Sequence, residues 1–539
     1  MKVPMTTIEF LDRAVDIYGD HVGVVADDGT EFTYNEFNER VNRLSNVFLK
    51  WGLKYGDRVA ILSFNTHWML ETFYAANQLG LVHVPMNYRL KPGEFEYILN
   101  DCTPKVVIVD EELSGQIEQI RDKVSSVEHY VAYDADKTEG DFEDYEALIK
   151  GSSPKQPERP EFDEEDIATI NYTSGTTGEP KGVMRTYRTE HWHAIMLSGH
   201  MGVKDNDVYL WTLPMFHVNG WGHIYCITGN GAKHVCLKKV DAGEIFRKVN
   251  KYNVSYLCAA PTVLNMLMGY FKENPDTVTT GESPVRIATA GSPPPQATIE
   301  RVEGEFGWEI AHVYGATEVG PIITTSHSPK LLESYDKYDL KRKQGGEVMG
   351  CKVRVVDEDG EDVPWDDEHL GEIIVRGNQV MEGYWNKPEA TKEAFNAKKP
   401  GWFHMGDLAT IDKNGLCEIK DREKDIIISG GENISSVEVE NVLYKHPAVD
   451  QCAVIGIPHE KWGETPKAVI VLNKSAEEPT EENLKKFVKE KIANYKCPTI
   501  FEFVDSLPTT ATGKVQKFEL RKKKNNGSLT IKGLKIQTY

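Results

Sequence analysis

The segment Ala168–Gly182 reads ATINYTSGTTGEPKG: an apolar run passes into a stretch dense in serine, threonine and glycine and closes on Pro180 and Lys181. Glycines let successive backbone N–H groups point into one concavity, which makes a nest for anions. Ser174, Thr176 and Thr177 add short hydroxyl donors, and Lys181 adds a positive charge. The combination suits a polyphosphate. It is not a Walker loop, because Pro180 stands where the second glycine of that motif should be. A flexible Gly/Ser/Thr turn is the bland alternative; the strand before it and the lysine after it weigh against that.

Such a loop needs stiff elements on either side. Strand-like runs (RVAILS at 58–63, KVVIVD at 105–110, VYLWTL at 208–213, VSYLCA at 254–259) alternate with amphipathic stretches at 92–100 and 242–252. Alternation of this kind predicts an α/β fold with mostly parallel sheets. Residues 150–163, rich in proline, serine and charge, read as a surface linker. From about 347 to 420 short strands and Asp-Gly and Leu-Gly turns predict a β-rich subdomain. Beyond it, helix 436–444, strands 451–456 and 468–472, helix 480–492 and strand 500–503 predict a small α+β domain, followed by a mobile tail from 521. The expected organisation is a large domain over 1–422 and a small one over 423–539.

Composition narrows the classes. The chain has 539 residues, 40% hydrophobic and 27% charged, which is globular rather than disordered. Its net charge of −21 disfavours non-specific binding to nucleic acid or anionic lipid. The eight cysteines form no CxxC pair, so neither a zinc site nor a disulfide framework is expected. No apolar run approaches 18 residues, and the N-terminus carries acidic residues where a signal peptide needs an apolar core. A soluble cytoplasmic protein without stable membrane insertion is the expectation.

Tyr172–Gly182 (YTSGTTGEPKG) resembles the signature of the adenylate-forming superfamily, which includes AMP-forming acyl-CoA synthetases. Four further motifs follow in the family's order: Tyr314–Glu318 (YGATE), Gly401–Asp407 (GWFHMGD), Asp421–Asn433 (DREKDIIISGGEN) and Pro508–Lys514 (PTTATGK). The resemblance spans roughly Phe10 to Arg521. It implies that a carboxylate attacks the α-phosphate of ATP to give an acyl-adenylate and pyrophosphate, after which the thiol of coenzyme A displaces AMP. Two anions must be brought together, so catalysis is expected to be positioning and charge stabilisation.

The resemblance also implies roles. Thr173, Ser174, Gly175, Thr176, Thr177, Gly178 and Lys181 would hold the ATP phosphates. Thr317 would contact the α-phosphate, and Glu318 would help hold Mg²⁺, a hard ion suited to carboxylate and phosphate oxygens. Tyr314 would stack on adenine, with Gly315, Gly291 and Ser292 lining the nucleotide and acyl sites. Asp407 would accept hydrogen bonds from the ribose, and Arg422 would serve the same ribose and phosphate. Lys514 would bridge carboxylate and α-phosphate during adenylation. The small domain would turn about Lys424 between half-reactions and carry Ser429, Gly430 and Gly431 to the CoA channel.

Leu213–Gly222 (LPMFHVNGWG) resembles the entry to the acyl-site helix of short- to medium-chain activators, with His217 near the carboxylate and Trp221 as a pocket wall. Gly315 stands where acetyl-CoA synthetases carry a tryptophan, so open volume is expected there, and an acid of about C4–C8, branched or hydroxylated. Two departures bear on local geometry: Met405 replaces a threonine or serine, and Tyr187 replaces a histidine. Partners would be the acid, ATP and CoA, with no nucleic acid and a homodimer left open. Loading of a carrier protein, or a non-catalytic nucleotide binder of the same fold, remain the alternatives.

Overall fold

The computed structural model describes residues 1, 3–173, 180–276, 278–281, 283–291, 293–328, 330, 333, 335–422, 425–429, 432–459, 462–473, 479–509 and 515–522. The chain divides into two compact units, Met1–Met405 with Ala409–Glu418, and Gly406–Leu408 with Ile419–Tyr539. The tail beyond 522 lies outside the described residues.

Two large sheets build the first unit. In the eight-stranded sheet, Arg58–Leu62 pairs in parallel with Val82–Met86 on one side and Val106–Val109 on the other. These strands are β-branched runs with almost every residue buried, as strands covered on both faces must be. Further along the same sheet, Ile167–Thr173 and Lys181–Thr186 form an antiparallel pair, with Thr173 opposite Lys181. Gly383–Tyr384 closes that edge, pairing antiparallel with Lys181–Thr186 so that Tyr384 lies opposite Val183.

The nine-stranded sheet runs Glu309–Tyr314, Arg286–Thr289, Tyr256–Cys258, Val208–Leu210, Lys233–Val235 and Val22–Val25 in spatial order, all parallel, with short antiparallel strands at both edges. Its core is aliphatic and aromatic, with Leu210, Leu257, Ile287 and Trp308 fully or almost fully buried. Helices are pinned by sequence-local caps. Thr33 and Glu36 form a reciprocal capping box on Tyr34–Lys50. Thr186 accepts from the Thr189 N–H at the start of Tyr187–Met201. Helix Ala242–Tyr252 begins at Asp241 and ends in left-handed Asn253.

The strands Cys351–Val356 and Gly371–Gly377 pair antiparallel in the β-rich part. In the second unit Val449–His459 and Gly463–Leu472 form a long hairpin, Ile500–Phe503 joins it in parallel, and helices Ser436–Leu443 and Glu481–Lys489 contribute to a core around Val454, Ile470 and Leu484. All eight cysteines are buried and unpaired.

Candidate active site

Open parallel sheets place ligands beyond the carboxyl ends of their strands. In the nine-stranded sheet these ends carry much of the expected constellation. Gly291 follows Arg286–Thr289, and Tyr314 ends the adjacent parallel strand, with Thr289 paired to His312. Thr317 and Glu318 lie in the short 3₁₀ turn just beyond, and both are part-exposed. His217 lies on the connection after Val208–Leu210 in the same sheet.

From the other sheet, the strand Lys181–Thr186 brings Lys181 to this region through a residue that motif reading missed. The Lys181 Nζ lies 4.8 Å from the ring centre of Tyr384, a cation–π arrangement. The hydroxyl of the same tyrosine donates to Glu318 Oε1 at 3.0 Å. Met381 N donates to the Glu318 carbonyl at 2.8 Å, and Trp385 N to the Gly182 carbonyl at 2.7 Å. Burial, reinforced by the Glu318 charge, holds the Tyr384 phenol well above its ordinary pKa, so it remains a donor. Thr173 Oγ1 donates to the Lys181 carbonyl at 3.4 Å. One tyrosine thus links the lysine of the first motif to the glutamate of the second.

The acyl-site connection is anchored by Asn65. Its Nδ2 donates to the carbonyls of Trp211 and Leu213 at 2.8 and 3.0 Å, and its Oδ1 accepts from Met215 N at 2.8 Å. His217 is pushed down to about 4 by desolvation, so at neutral pH it is an uncharged hydrogen-bonding group. The expected entry to the helix His223–Gly229 takes the form of a left-handed turn. Val218, Asn219, Gly220, Trp221 and Gly222 have φ of 37°, 44°, 53°, 53° and 76°. Three of these carry a Cβ, and at roughly 1–2 kcal/mol each the turn costs about 3–6 kcal/mol of conformational energy. It is buried: Asn219 is 0% and Trp221 7% exposed.

Gly315 corrects an expectation. A Cβ built there would lie 1.6 Å from the Pro321 carbonyl oxygen and 2.7 Å from its carbon. The space is filled by backbone, so the glycine reflects close chain approach. It does not open room for a longer acid. Tyr187 likewise has a structural place: it starts its helix, is fully buried, and donates through its hydroxyl to the Asn77 carbonyl at 3.0 Å.

In the second unit Asp407 is buried within Phe403–Ile411, Arg422 ends Cys417–Arg422, and Ser429 ends Ile427–Ser429. Thr509, the second residue of the last motif, pairs with Val515, just after it, as an isolated antiparallel bridge. Ser174, Gly175, Thr176, Thr177, Gly178, Ser292, Lys424, Gly430, Gly431 and Lys514 lie outside the described residues. A separate acidic cluster, Asp110, Glu111 and Glu112, is held by Lys238 Nζ at 3.1, 3.3 and 3.0 Å.

Known proteins resemble this chain along almost its whole length. The AMP-binding enzyme family model matches residues 11–385, and the model of that family's C-terminal domain matches 438–514. The chain is 39% identical over 536 residues to a probable acyl-activating enzyme 6 of Arabidopsis thaliana, covering 96% of each. It is 38% identical to 4-hydroxybutyrate–CoA ligase 2 of Metallosphaera sedula, covering 96% of this chain and 94% of that one. Among solved structures, the anthranilate CoA ligase AuaEII in complex with anthranoyl-AMP aligns with a TM-score of 0.86 at 27% identity, over 97% of this chain and 99% of that one. The chain therefore belongs to the AMP-binding enzyme family, the adenylate-forming acyl-CoA synthetases that its five ordered motifs resemble.

Proposed function

We propose that this protein is an AMP-forming acid–CoA ligase for a carboxylic acid of about C4–C8, branched or hydroxylated. The observation that carries the reading is the Lys181–Tyr384–Glu318 arrangement. It presents a cation and a carboxylate side by side without letting one neutralise the other through a direct pair.

In this reading Lys181 and the hydroxyl-rich segment 173–178 bind the phosphates, and Thr317 orients the α-phosphate. Glu318, part-exposed and bonded by the Tyr384 phenol, suits Mg²⁺, which takes one or two carboxylates together with phosphate oxygens. Bound there, the ion would supply charge neutralisation on the phosphates. Neutral His217 hydrogen-bonds the acid's carboxylate without adding a charge that would compete with the lysines. Tyr314, Gly291 and Ser292 receive adenine, and Asp407 and Arg422 receive the ribose. Lys514, on the small domain hinged at Lys424, joins the carboxylate and α-phosphate for the first half-reaction. Ser429, Gly430 and Gly431 approach the pantetheine in the second. The relative named for 4-hydroxybutyrate supports the short, hydroxylated end of the range. Eight buried thiols support a reducing, cytoplasmic setting.

The test is AMP and pyrophosphate release with ATP, CoA and a panel of acids from C2 to C12, including hydroxy acids. The expected result is release that requires all three substrates, with a C4–C8 optimum. Release without CoA thioester formation would point to carrier loading, and no release with any acid would remove the reading. In the same assay Lys514→Ala is expected to lower adenylation by about 10²–10³ while sparing thioester formation from preformed adenylate.

A further inference from the structure

The left-handed turn after His217 is bonded at the Gly220 carbonyl by His223 Nδ1 at 2.9 Å, and its Asn219 side chain reaches the strands of the phosphate loop. Asn219 Nδ2 donates to Glu190 Oε1 at 2.6 Å and to Thr169 Oγ1 at 2.9 Å, while its Oδ1 accepts from Asn171 Nδ2 at 3.0 Å. Both hydrogens of the amide and its oxygen are engaged. Thr169 and Asn171 lie on Ile167–Thr173, the strand that runs into the loop. Glu190 also takes the Arg185 Nε at 2.6 Å, and Arg185 lies on Lys181–Thr186, the strand that leaves the loop. Arg185 Nη2 donates in turn to the carbonyl of Gly320, two residues beyond Glu318, at 3.2 Å. Arg185, Glu190, Asn219 and Thr169 are at most 1% exposed and Asn171 is 3% exposed.

The turn has little freedom to move independently of this network. A Cβ on Gly220 would meet the Trp211 ring at 2.4 Å, and one on Gly222 would meet His193 Nδ1 at 2.3 Å. A strained backbone persists only where its surroundings over-determine it. Here the surroundings include Trp211, His193, the two phosphate-loop strands and the chain just after Glu318.

We propose that Asn219, with Asn171 and Glu190, is a positioning residue that couples acid binding to ATP binding. Seating the acid against His217 loads the turn, and the turn, unable to move alone, passes that load through Asn219 to the strands that bear Thr173 and Lys181. The coupling is reciprocal, so ATP also tightens the acid. This rests on the proposed ligase reading, since it concerns that reaction's two substrates.

Calorimetric titration of the full chain with α,β-methylene-ATP tests it, with and without a saturating dose of the acid that releases AMP fastest in the C2–C12 panel. In the parent protein the acid is expected to tighten the nucleotide by about 5–20-fold, within the usual range of site–site coupling. In Asn219→Gly the ratio is expected to fall to about 1, with affinity for the nucleotide alone changed less than about threefold. Glycine tolerates the left-handed backbone better than asparagine, so loss of coupling there reports the side-chain network and not the strain. Asn171→Ala cuts only the link to the incoming strand and is expected to lose part of the ratio; it carries the test if Asn219→Gly does not fold. A parent ratio near 1, or a parent-like ratio in both folded variants while AMP release continues, overturns the coupling and leaves the ligase reading intact. Failure of every acid to release AMP removes the ligase reading and this inference with it.

Discussion

Two lysines of this protein lie at strand ends next to acidic groups, Lys238 just beyond Lys233–Val235 and Lys181 at the first residue of Lys181–Thr186, and they are treated in opposite ways. Lys238 sits among Asp110, Glu111 and Glu112, within 3.3 Å of all three carboxylates. Lys181 instead lies over the face of Tyr384, whose hydroxyl takes the nearby glutamate. The first arrangement consumes the charge to hold neighbouring segments together. The second keeps a cation and an anion adjacent yet separated by a ring, which is what a site for a metal-bound phosphate requires. A direct Lys–Glu pair would have to be broken, with its desolvation and pairing energy, each time a nucleotide entered.

Exchanging each lysine for an apolar residue of similar length is the sharpest way to break this contrast. Lys181→Met is expected to lower adenylation by about 10²–10³, with a thermal midpoint within about 2 °C of the parent. Lys238→Met is expected to do the reverse. It strands the fully buried Asp110 and lowers stability by about 3 kcal/mol, while the folded enzyme keeps its rate within about threefold. A stability loss from the first, or a rate collapse of folded protein from the second, would erase the distinction.

Tyr384→Phe sharpens it. The ring under the ammonium remains and only the donor to Glu318 is lost, so adenylation should fall by about tenfold, the scale of one hydrogen bond to a charged group. If Tyr384→Phe is as damaging as Lys181→Met, the hydroxyl rather than the charge separation matters.

The smallest effect is one of pH. Burial raises Asp110 from 3.8 to about 6, against the pull of Lys238. The native state therefore holds this proton more tightly than the unfolded chain, and the group's contribution to stability falls as pH rises from about 4 to 6. Asp110→Asn removes that dependence. Its thermal midpoint relative to the parent should improve by about 1–2 °C across this window and run level above it. A difference unchanged from pH 4 to 6 would contradict the assignment.

Much of the frame was readable before the structure. Runs such as Val106–Val109 announce themselves because buried strands must be apolar and β-branched. The helix Ala242–Tyr252 shows its aspartate cap and its amphipathic period. Lys181, Tyr314, Thr317 and Glu318 were named because motifs are local. What was missed depends on contacts between distant segments. Tyr384 belongs to a two-residue edge strand paired with a segment about two hundred positions earlier, and no periodicity survives in so short an element. The left-handed turn was hidden because valine and tryptophan both argue against positive φ; only Asn219 and the two glycines hint at it. Gly315 misled because a missing side chain can mean either empty space or a crowding backbone, and here it is the latter.

The burial of all eight cysteines bears on the chemistry of the second substrate. An enzyme that handles CoA meets its oxidised, disulfide-linked form as well, and exposed thiolates would be captured as mixed disulfides. Desolvation pushes Cys102, Cys258, Cys351 and Cys417 up to about 12, leaving roughly one thiolate in 10⁵ at neutral pH. The native protein should therefore pass unmodified through a pool of CoA disulfide that would label every one of its cysteine thiols once unfolded.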